Sequence, residues 1–181
     1  MLRRHFFSAG VMLAALTALR PGAATAEAGI PAKLTADDYI EIQQLYANYA
    51  HALDKGEGEA FASTFVLDGE FIGGRGPGRG NEVRIPIKGD GLLKMGSNGG
   101  SRHFNANLVI TPTPEGAKGS VYLLLFNART TPATIVETAI YDDTLVKTPQ
   151  GWKFKKRIVW RDDDDITPFK PKPPSVAPEN K

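Results

Sequence analysis

TADDYIEIQQLYANYAHALDKG, residues 35–56, is the segment from which the rest of the architecture follows. Thr35 is placed as an N-cap and Asp38 stands three residues later, which is typical of a capping box, while Lys55-Gly56 is a typical stop. These signals predict one long helix. At 100° per residue its apolar side chains form a single stripe, which must pack against a second layer of structure. The residues of this stripe are Tyr39, Ile42, Tyr46, Tyr49, Ala50 and Leu53.

The segment that follows predicts a shorter helix, in which Phe61 and Phe65 are spaced i,i+4, ending near Asp68-Gly69. The glycine and arginine run at residues 73–80 lacks the strand-to-helix surroundings of a phosphate-binding loop, so we interpret it as a loop or lid near a cavity. A strand near residues 83–88 and a helical turn near residues 92–95 are predicted next.

The C-terminal half predicts strands and turns. Four β-rich segments are separated by Pro- and Gly-containing turns and cover residues 102–111, 120–130, 134–147 and 152–161. In the last segment Trp152, Phe154, Ile158 and Trp160 share one parity, which predicts that they share one face. Helices followed by long antiparallel strands predict an α+β fold with the N-terminal helices packed on a mainly antiparallel sheet.

The N-terminus has the three parts of a secretory signal. Arg3 and Arg4 precede an apolar run at residues 11–19 and a small-residue site near Ala26, with Ala28 as the alternative cleavage position. The arginine pair predicts the twin-arginine export machinery as a partner and a periplasmic or secreted protein. The predicted domains are a signal peptide at 1–26, a globular domain at 27–165 and a Pro-rich disordered tail at 166–181.

Charge and composition exclude several classes of protein. The chain has 22 Lys+Arg against 20 Asp+Glu, but residues 1–26 hold three arginines and no acid, which leaves 19 against 20 in the remainder. We therefore expect no nucleic-acid partner and no membrane association after cleavage. The chain has no Cys, so no disulfide supports the fold. The Asp162–Asp165 run lacks the spaced ligands and turn glycine of a calcium loop.

Four motifs resemble those of the SnoaL-like branch of the nuclear-transport-factor-2-like superfamily. They are Tyr46–Gly56 (YANYAHALDKG) in the first helix, Phe61–Gly69 (FASTFVLDG) after it, Ser101–Asn107 (SRHFNAN) in a strand, and the hairpin at Gly151-Trp152. The resemblance covers roughly residues 34–162. It implies a cone-shaped α+β barrel in which helices close a curved sheet.

The resemblance to the lyases of this superfamily, of the scytalone dehydratase and bile-acid dehydratase type, also implies a site. An Asp of the first helix meets a His of the sheet inside the cone, and the matching residues here are Asp54 and His103, with Tyr49 as a substrate-facing tyrosine. Arg157 on the last strand matches an arginine near the cavity mouth. The aromatic side chains of Tyr46, Phe65 and Trp160 would form walls that suit a hydrophobic ring, and Asn105 and Asn127 complete the expected contacts to substrate. One departure stands at Phe126-Asn127, where scytalone dehydratase has a second pocket histidine and this chain offers no acid or base.

The residue types suit proton transfer without a cofactor. A histidine titrates near neutral pH, a carboxylate fixes its tautomer, and a tyrosine hydroxyl stabilises a developing oxyanion. We therefore expect a dehydratase- or isomerase-type reaction on a small hydrophobic ring or carbonyl substrate. The resemblance also implies a homodimer, because an exposed sheet face is common in this superfamily.

Two alternatives stay open. The first is a non-catalytic module of the same fold that binds a small molecule or dimerises. The second is a metal site at His51, Asp54 and His103, although the helical spacing turns His51 away from the apolar stripe.

Overall fold

Helices precede a five-stranded sheet along the chain. The computed structural model describes residues 33–73 and 87–163. The elements are α1 (Ala36–Lys55), α2 (Gly58–Ala62), β1 (Phe65–Ile72), α3 (Asp90–Gly96), β2 (Ser101–Thr113), β3 (Gly116–Asn127), β4 (Thr134–Thr148) and β5 (Gly151–Arg161). The predicted signal peptide at 1–26, the tail at 166–181 and most of the 73–80 loop and the 83–88 strand lie outside the described residues. No described helix is long and apolar enough to span a membrane.

The predicted caps of α1 are confirmed. The Thr35 hydroxyl accepts the Asp38 main-chain N–H at 3.2 Å, and the Asp38 carboxylate accepts the Thr35 N–H at 2.8 Å. Gly56 ends the helix with φ of 76°, in the left-handed region that favours glycine. Asp38 also accepts hydrogen bonds from Lys147 and from the indole N–H of Trp152, so this end of α1 is fastened to the β4–β5 hairpin.

The sheet has the strand order β1-β5-β4-β3-β2 and is mainly antiparallel, as predicted. Every neighbouring pair is antiparallel except β1 and β5, which run parallel. The curved sheet does not close between β1 and β2 in the described part of the chain. Helix α1 covers its concave face, where the apolar core lies. The α+β class with helices on a curved sheet is confirmed.

Phe65 lies in a strand and not in the predicted second helix. Helix α2 ends at Ala62, and the Thr64 carbonyl then accepts the Phe154 N–H at 2.9 Å, which starts the pairing of β1 with β5. The i,i+4 spacing of Phe61 and Phe65 suits a helix, but both rings reach the same aromatic core, 5.7 Å apart, from a helix and a strand. Burial in the core outweighs the local spacing here.

The predicted single face of β5 is wrong beyond Phe154. The register of β4 and β5 shifts between Leu145 and Thr144, which pair with Phe154 and Lys156, so Lys155 is an extra residue. Such a bulge reverses which side chains point inward. Trp152 and Phe154 are buried, but after the bulge the buried residues are Arg157, Val159 and Arg161. Trp160 therefore lies on the convex face, away from α1, and not on the predicted face with Trp152 and Phe154; its contact with substrate stays a prediction.

Candidate functional site

The last turn of α1 carries Asp54 to the edge of the sheet. Strand β2 is an edge strand, so some of its N–H groups have no neighbouring strand to bond. The carboxylate of Asp54 accepts one of them, the main-chain N–H of His103, at 3.0 Å. The Asp54 carbonyl accepts the N–H of Gly100 at 3.0 Å, and Gly56 and Gly99 have no side chains to separate the two segments. The helix end and the start of β2 are therefore held in contact.

Asp54 and His103 form the predicted dyad. The second oxygen of the carboxylate lies 2.5 Å from Nδ1 of the imidazole, and the two side chains are 11% and 9% exposed. With Nδ1–H donated to Asp54, the neutral ring keeps its other nitrogen, Nε2, as the proton acceptor. Because the carboxylate is bound by both the main chain and the ring of one residue, it fixes the position of the imidazole and its tautomer together.

Asn105 lies two residues beyond His103 on the same face of β2. Both polar atoms of its amide are buried, and neither has a hydrogen-bond partner among the described residues. The amide can therefore donate to and accept from a ligand in the interior. Asn127 stands at the end of β3, where its side-chain oxygen accepts the N–H of Arg129 at 2.9 Å, so at least that oxygen is used in the turn.

Arg157 is a core residue, which corrects its predicted place near the cavity mouth. Its side chain is fully buried and forms two hydrogen bonds with Asp143, at 2.8 and 2.7 Å. Its guanidinium lies 4.1 Å from the ring centroids of Tyr49, Tyr141 and Phe154. A buried guanidinium requires such a carboxylate partner, and this pair leaves Arg157 no route to the rim.

The two tyrosines of α1 also pack in the core. Tyr46 donates its hydroxyl to Asp143, and burial next to that carboxylate raises the pKa of the phenol, so it stays protonated. The hydroxyl of Tyr46 is therefore engaged in the core, and its contact with substrate stays a prediction. Gly119, the partner of Asp143 on β3, permits the approach, because a β-carbon there would overlap the Tyr46 hydroxyl.

Tyr49 and Phe65 share an aromatic cluster, with centroids 6.1 Å apart, and both are at most 5% exposed. Burial raises the pKa of Tyr49, and its hydroxyl has no hydrogen-bond partner in the described part of the chain. Tyr49 is five residues from Asp54, so the two side chains leave α1 in directions about 140° apart. Its role toward substrate stays a prediction.

The sequence did not point to a second ion pair on the concave face. Nε of Arg161 lies 2.7 Å from the carboxylate of Glu137, and the side chains are 9% and 13% exposed. Leu125 pairs with both His103 and Glu137, which places these residues in one row across three strands. Alternation along β4 could have identified Glu137, because it shares the parity of the buried Ala139 and Tyr141.

The proposed metal set does not assemble. His51 is exposed on α1, away from the dyad. No group of three or more His, Cys, Asp or Glu side chains with the arrangement of a metal site occurs within residues 33–73 and 87–163. Asp54 and His103 together have the residue types that proton transfer requires.

Comparison with known proteins agrees with this fold. The model of a SnoaL-like domain matches residues 34–158, while no curated protein matches the chain. A protein of unknown function with a cystatin-like fold from Nostoc punctiforme is 26% identical, with a TM-score of 0.60 over 76% of this chain and 98% of that one.

Two further solved structures extend the likeness. A protein from Catenulispora acidiphila, in complex with S-DNPA, is 28% identical, with a TM-score of 0.58 over 71% of this chain and 96% of that one. ActVI-ORFA from Streptomyces coelicolor is 18% identical, with a TM-score of 0.55 over 72% and 98%, and shows the shared fold. The family match covers nearly all of the described residues, so this chain belongs to the SnoaL-like domain family.

Proposed function

We propose that this protein is a cofactor-independent lyase or isomerase of the dehydratase type that acts on a hydrophobic ring or carbonyl compound. The observation that carries the proposal is the dyad, in which Asp54 binds both the main chain and the ring of His103. The family and the Catenulispora relative solved in complex with S-DNPA support a small-molecule ligand for this chain.

The reaction begins with proton abstraction beside a carbonyl. Nε2 of His103 takes the proton, and Asp54 stabilises the imidazolium that forms. The negative charge moves to the carbonyl oxygen, which the buried amide of Asn105 can bind as a hydrogen-bond donor. The protonated imidazole then returns the proton, either to a leaving hydroxyl, which departs as water, or to another carbon, which moves the double bond.

Deuterium exchange tests the proton abstraction without knowledge of the natural substrate. A thermal-shift panel of steroids, bile-acid intermediates, polyketide aromatics and β-hydroxy carbonyls selects ligands, and those with a ketone are incubated with the protein in D2O. Proton NMR then follows loss of the signal beside the carbonyl. We expect exchange above the buffer rate, reduced about 10²-fold or more by Asp54→Asn or His103→Gln.

His51→Gln is the matched control, because His51 lies on the same helix but is exposed. It should exchange at the wild-type rate. Exchange that is equal in the wild type and both dyad variants would contradict the proposal. Ligand-induced stabilisation with no exchange in any variant would instead favour the non-catalytic binding module.

We also propose that the convex face of the sheet pairs two copies of the chain. Phe104, Tyr122 and Ile135 lie on this face and are 59%, 54% and 60% exposed, an apolar surface typical of interfaces. Tyr122→Lys should convert a dimer to a monomer in light scattering after size exclusion. Leu67→Lys, on the distant strand β1, should leave the mass unchanged. A wild-type monomer, or a Tyr122→Lys dimer, would contradict this pairing.

Residues 1–26 support a third proposal, that the protein is exported by the twin-arginine route to the periplasm or the medium. Replacing Arg3 and Arg4 by Lys should retain the full-length chain in the cytoplasm, as measured by cell fractionation and immunoblotting. Export that is unaffected by this double substitution would contradict the route.

A further inference from the structure

The ion pair of Glu137 and Arg161 is a feature of the interior that proton transfer by the dyad does not use. Arg161 is 8% exposed, and its Nε lies 2.7 Å from the carboxylate of Glu137. Cross-strand pairing places Arg161 beside Ala139 and Glu137 beside Leu125, and Leu125 in turn pairs with His103. Both charged side chains therefore face the same concave side as the dyad.

The distance between the Asp54–His103 dyad and the Glu137–Arg161 ion pair suits a ligand of one or two fused rings. His103 and Glu137 are separated by the single residue Leu125, so their main chains lie two strand spacings apart, roughly 10 Å. The concave surface of the sheet between them is apolar. Beside Arg161 this surface leaves more space for a ligand, because Ala139 has the smallest side chain of its cross-strand row. A flat hydrophobic ligand can thus contact the dyad at one edge and the ion pair at the other.

The charges of Glu137 and Arg161 determine which chemical group a ligand can place beside them. Glu137 neutralises Arg161, so a carboxylate ligand would bring an additional negative charge next to Glu137 or would have to displace it from a weakly solvated site. A neutral hydroxyl meets neither obstacle, because it can donate to Glu137 and accept from Arg161. Asp163 lines a groove of about 250 Å³ together with Glu137, so a second carboxylate lies near the ion pair.

We propose that Glu137 is a specificity-determining residue that restricts the interior site to neutral, hydroxyl-bearing ring compounds and excludes carboxylates of the same shape. The inference rests on the proposed function for the location of the site, but it requires only binding and not turnover. It narrows the substrate class to neutral hydroxy-carbonyl compounds.

A matched pair of probes tests the charge selection. 2-Naphthol and 2-naphthoate, which have the same ring system and differ in charge at pH 7, are titrated into the purified protein while amide resonances of Leu125 and Ala139 are followed by NMR. We expect wild type to bind 2-naphthol at least about tenfold more tightly than 2-naphthoate.

Two substitutions should change the ratio of the affinities for 2-naphthol and 2-naphthoate in opposite directions. Glu137→Gln leaves the Arg161 cation uncompensated and should shift the ratio toward 2-naphthoate by about tenfold or more. Arg161→Gln leaves the Glu137 carboxylate and should shift the ratio further toward 2-naphthol. Glu41→Gln, an exposed residue of α1, is the control and should change nothing.

Equal affinities of wild type for the two probes, or a ratio unchanged in both folded variants, would overturn the inference. So would probes that bind without moving Leu125 or Ala139. The double substitution Glu137→Gln/Arg161→Gln, which carries no unpaired charge, keeps the test valid if either single variant fails to fold, because it should abolish the wild-type ratio. A selective ratio in His103→Gln together with absent deuterium exchange in wild type would support the inference while contradicting the proposed function.

Discussion

Removing the Asp143 carboxylate should destabilise the protein strongly, because it leaves the Arg157 guanidinium charged and without its partner in the core. Asp143 is 1% exposed, Arg157 is fully buried, and two hydrogen bonds join them. Breaking a buried ion pair at one end costs about 3–5 kcal/mol. For Asp143→Asn, with an urea m-value of about 2 kcal/mol/M, we therefore expect the unfolding midpoint to fall by about 2 M.

Replacing both partners should be far less harmful than replacing one. In Asp143→Leu/Arg157→Met no charge remains, and the flexible thioether can pack against the rings that surround Arg157, such as Tyr141 and Phe154. Exchange of a buried pair for apolar side chains of similar volume is often close to neutral. We expect the double variant to lie within about 2 kcal/mol of wild type, after allowance for the lost bond from Tyr46.

Urea unfolding followed by circular dichroism measures both effects, and Asp142→Asn is the control. Asp142 neighbours Asp143 on β4 but points to the opposite face, so its substitution should cost less than about 0.5 kcal/mol. If Asp143→Asn cost under about 1 kcal/mol, or if the double variant were less stable than Asp143→Asn, the assignment of Arg157 to a core ion pair would be refuted.

Three other predictions concern stability and binding. Asp38→Asn should lower the unfolding free energy by about 1–3 kcal/mol near neutral pH, through loss of the capping box and of the charged bond from Lys147. The Lys147 hydrogen bond, followed by those of Thr35 and Trp152, lowers the Asp38 pKa in the folded protein. The difference in unfolding free energy between wild type and Asp38→Asn should therefore persist above pH 4 and shrink as the pH falls toward the folded-state pKa of Asp38. Urea titrations from pH 3 to 7 measure this difference, and a value that stays constant over that range would contradict the prediction. Gly119→Ala should cost about 1–3 kcal/mol by the same assay, since the new methyl group overlaps the Tyr46 hydroxyl, and a neutral effect would refute the close approach. Trp160→Ala should leave the affinity of interior ligands unchanged within about twofold in NMR titrations, because Trp160 is on the convex face; a larger loss would place it in the site.

The parts of the fold that could be predicted are those fixed by local chemistry. The capping box at Thr35, the glycine stop at Gly56 and the turn glycines between strands act within a few residues, so their patterns appear directly in the sequence. The Asp54–His103 contact is not local. It was predicted only because the motifs around both residues resemble a known family, and the structure brings the two side chains within 2.5 Å.

The incorrect predictions for β5 and Phe65 have one physical origin, because each depends on a strand register that is set by residues distant in the sequence. The bulge at Lys155 lies where the register of β5 shifts against both β4 and β1, and no local pattern marks it. It exchanges Trp160 for Arg161 on the concave face and directs Arg157 into the core. Likewise, Phe65 starts a strand because β5 offers it a partner, although the spacing from Phe61 suits a helix.

The two ends of α1 show why the dyad and the fold are inseparable. Asp38 and Asp54 are 16 residues apart, about 24 Å along the helix, and each carboxylate accepts hydrogen bonds from a different part of the sheet. Asp38 binds the β4–β5 hairpin, whereas Asp54 binds the first residues of the edge strand β2. The helix therefore crosses the sheet with both ends fixed, and its direction determines where the Asp54 carboxylate meets His103. An aspartate at one end of the helix fastens α1 to a hairpin, and the same residue type at the other end positions the imidazole of His103, which we propose as the base.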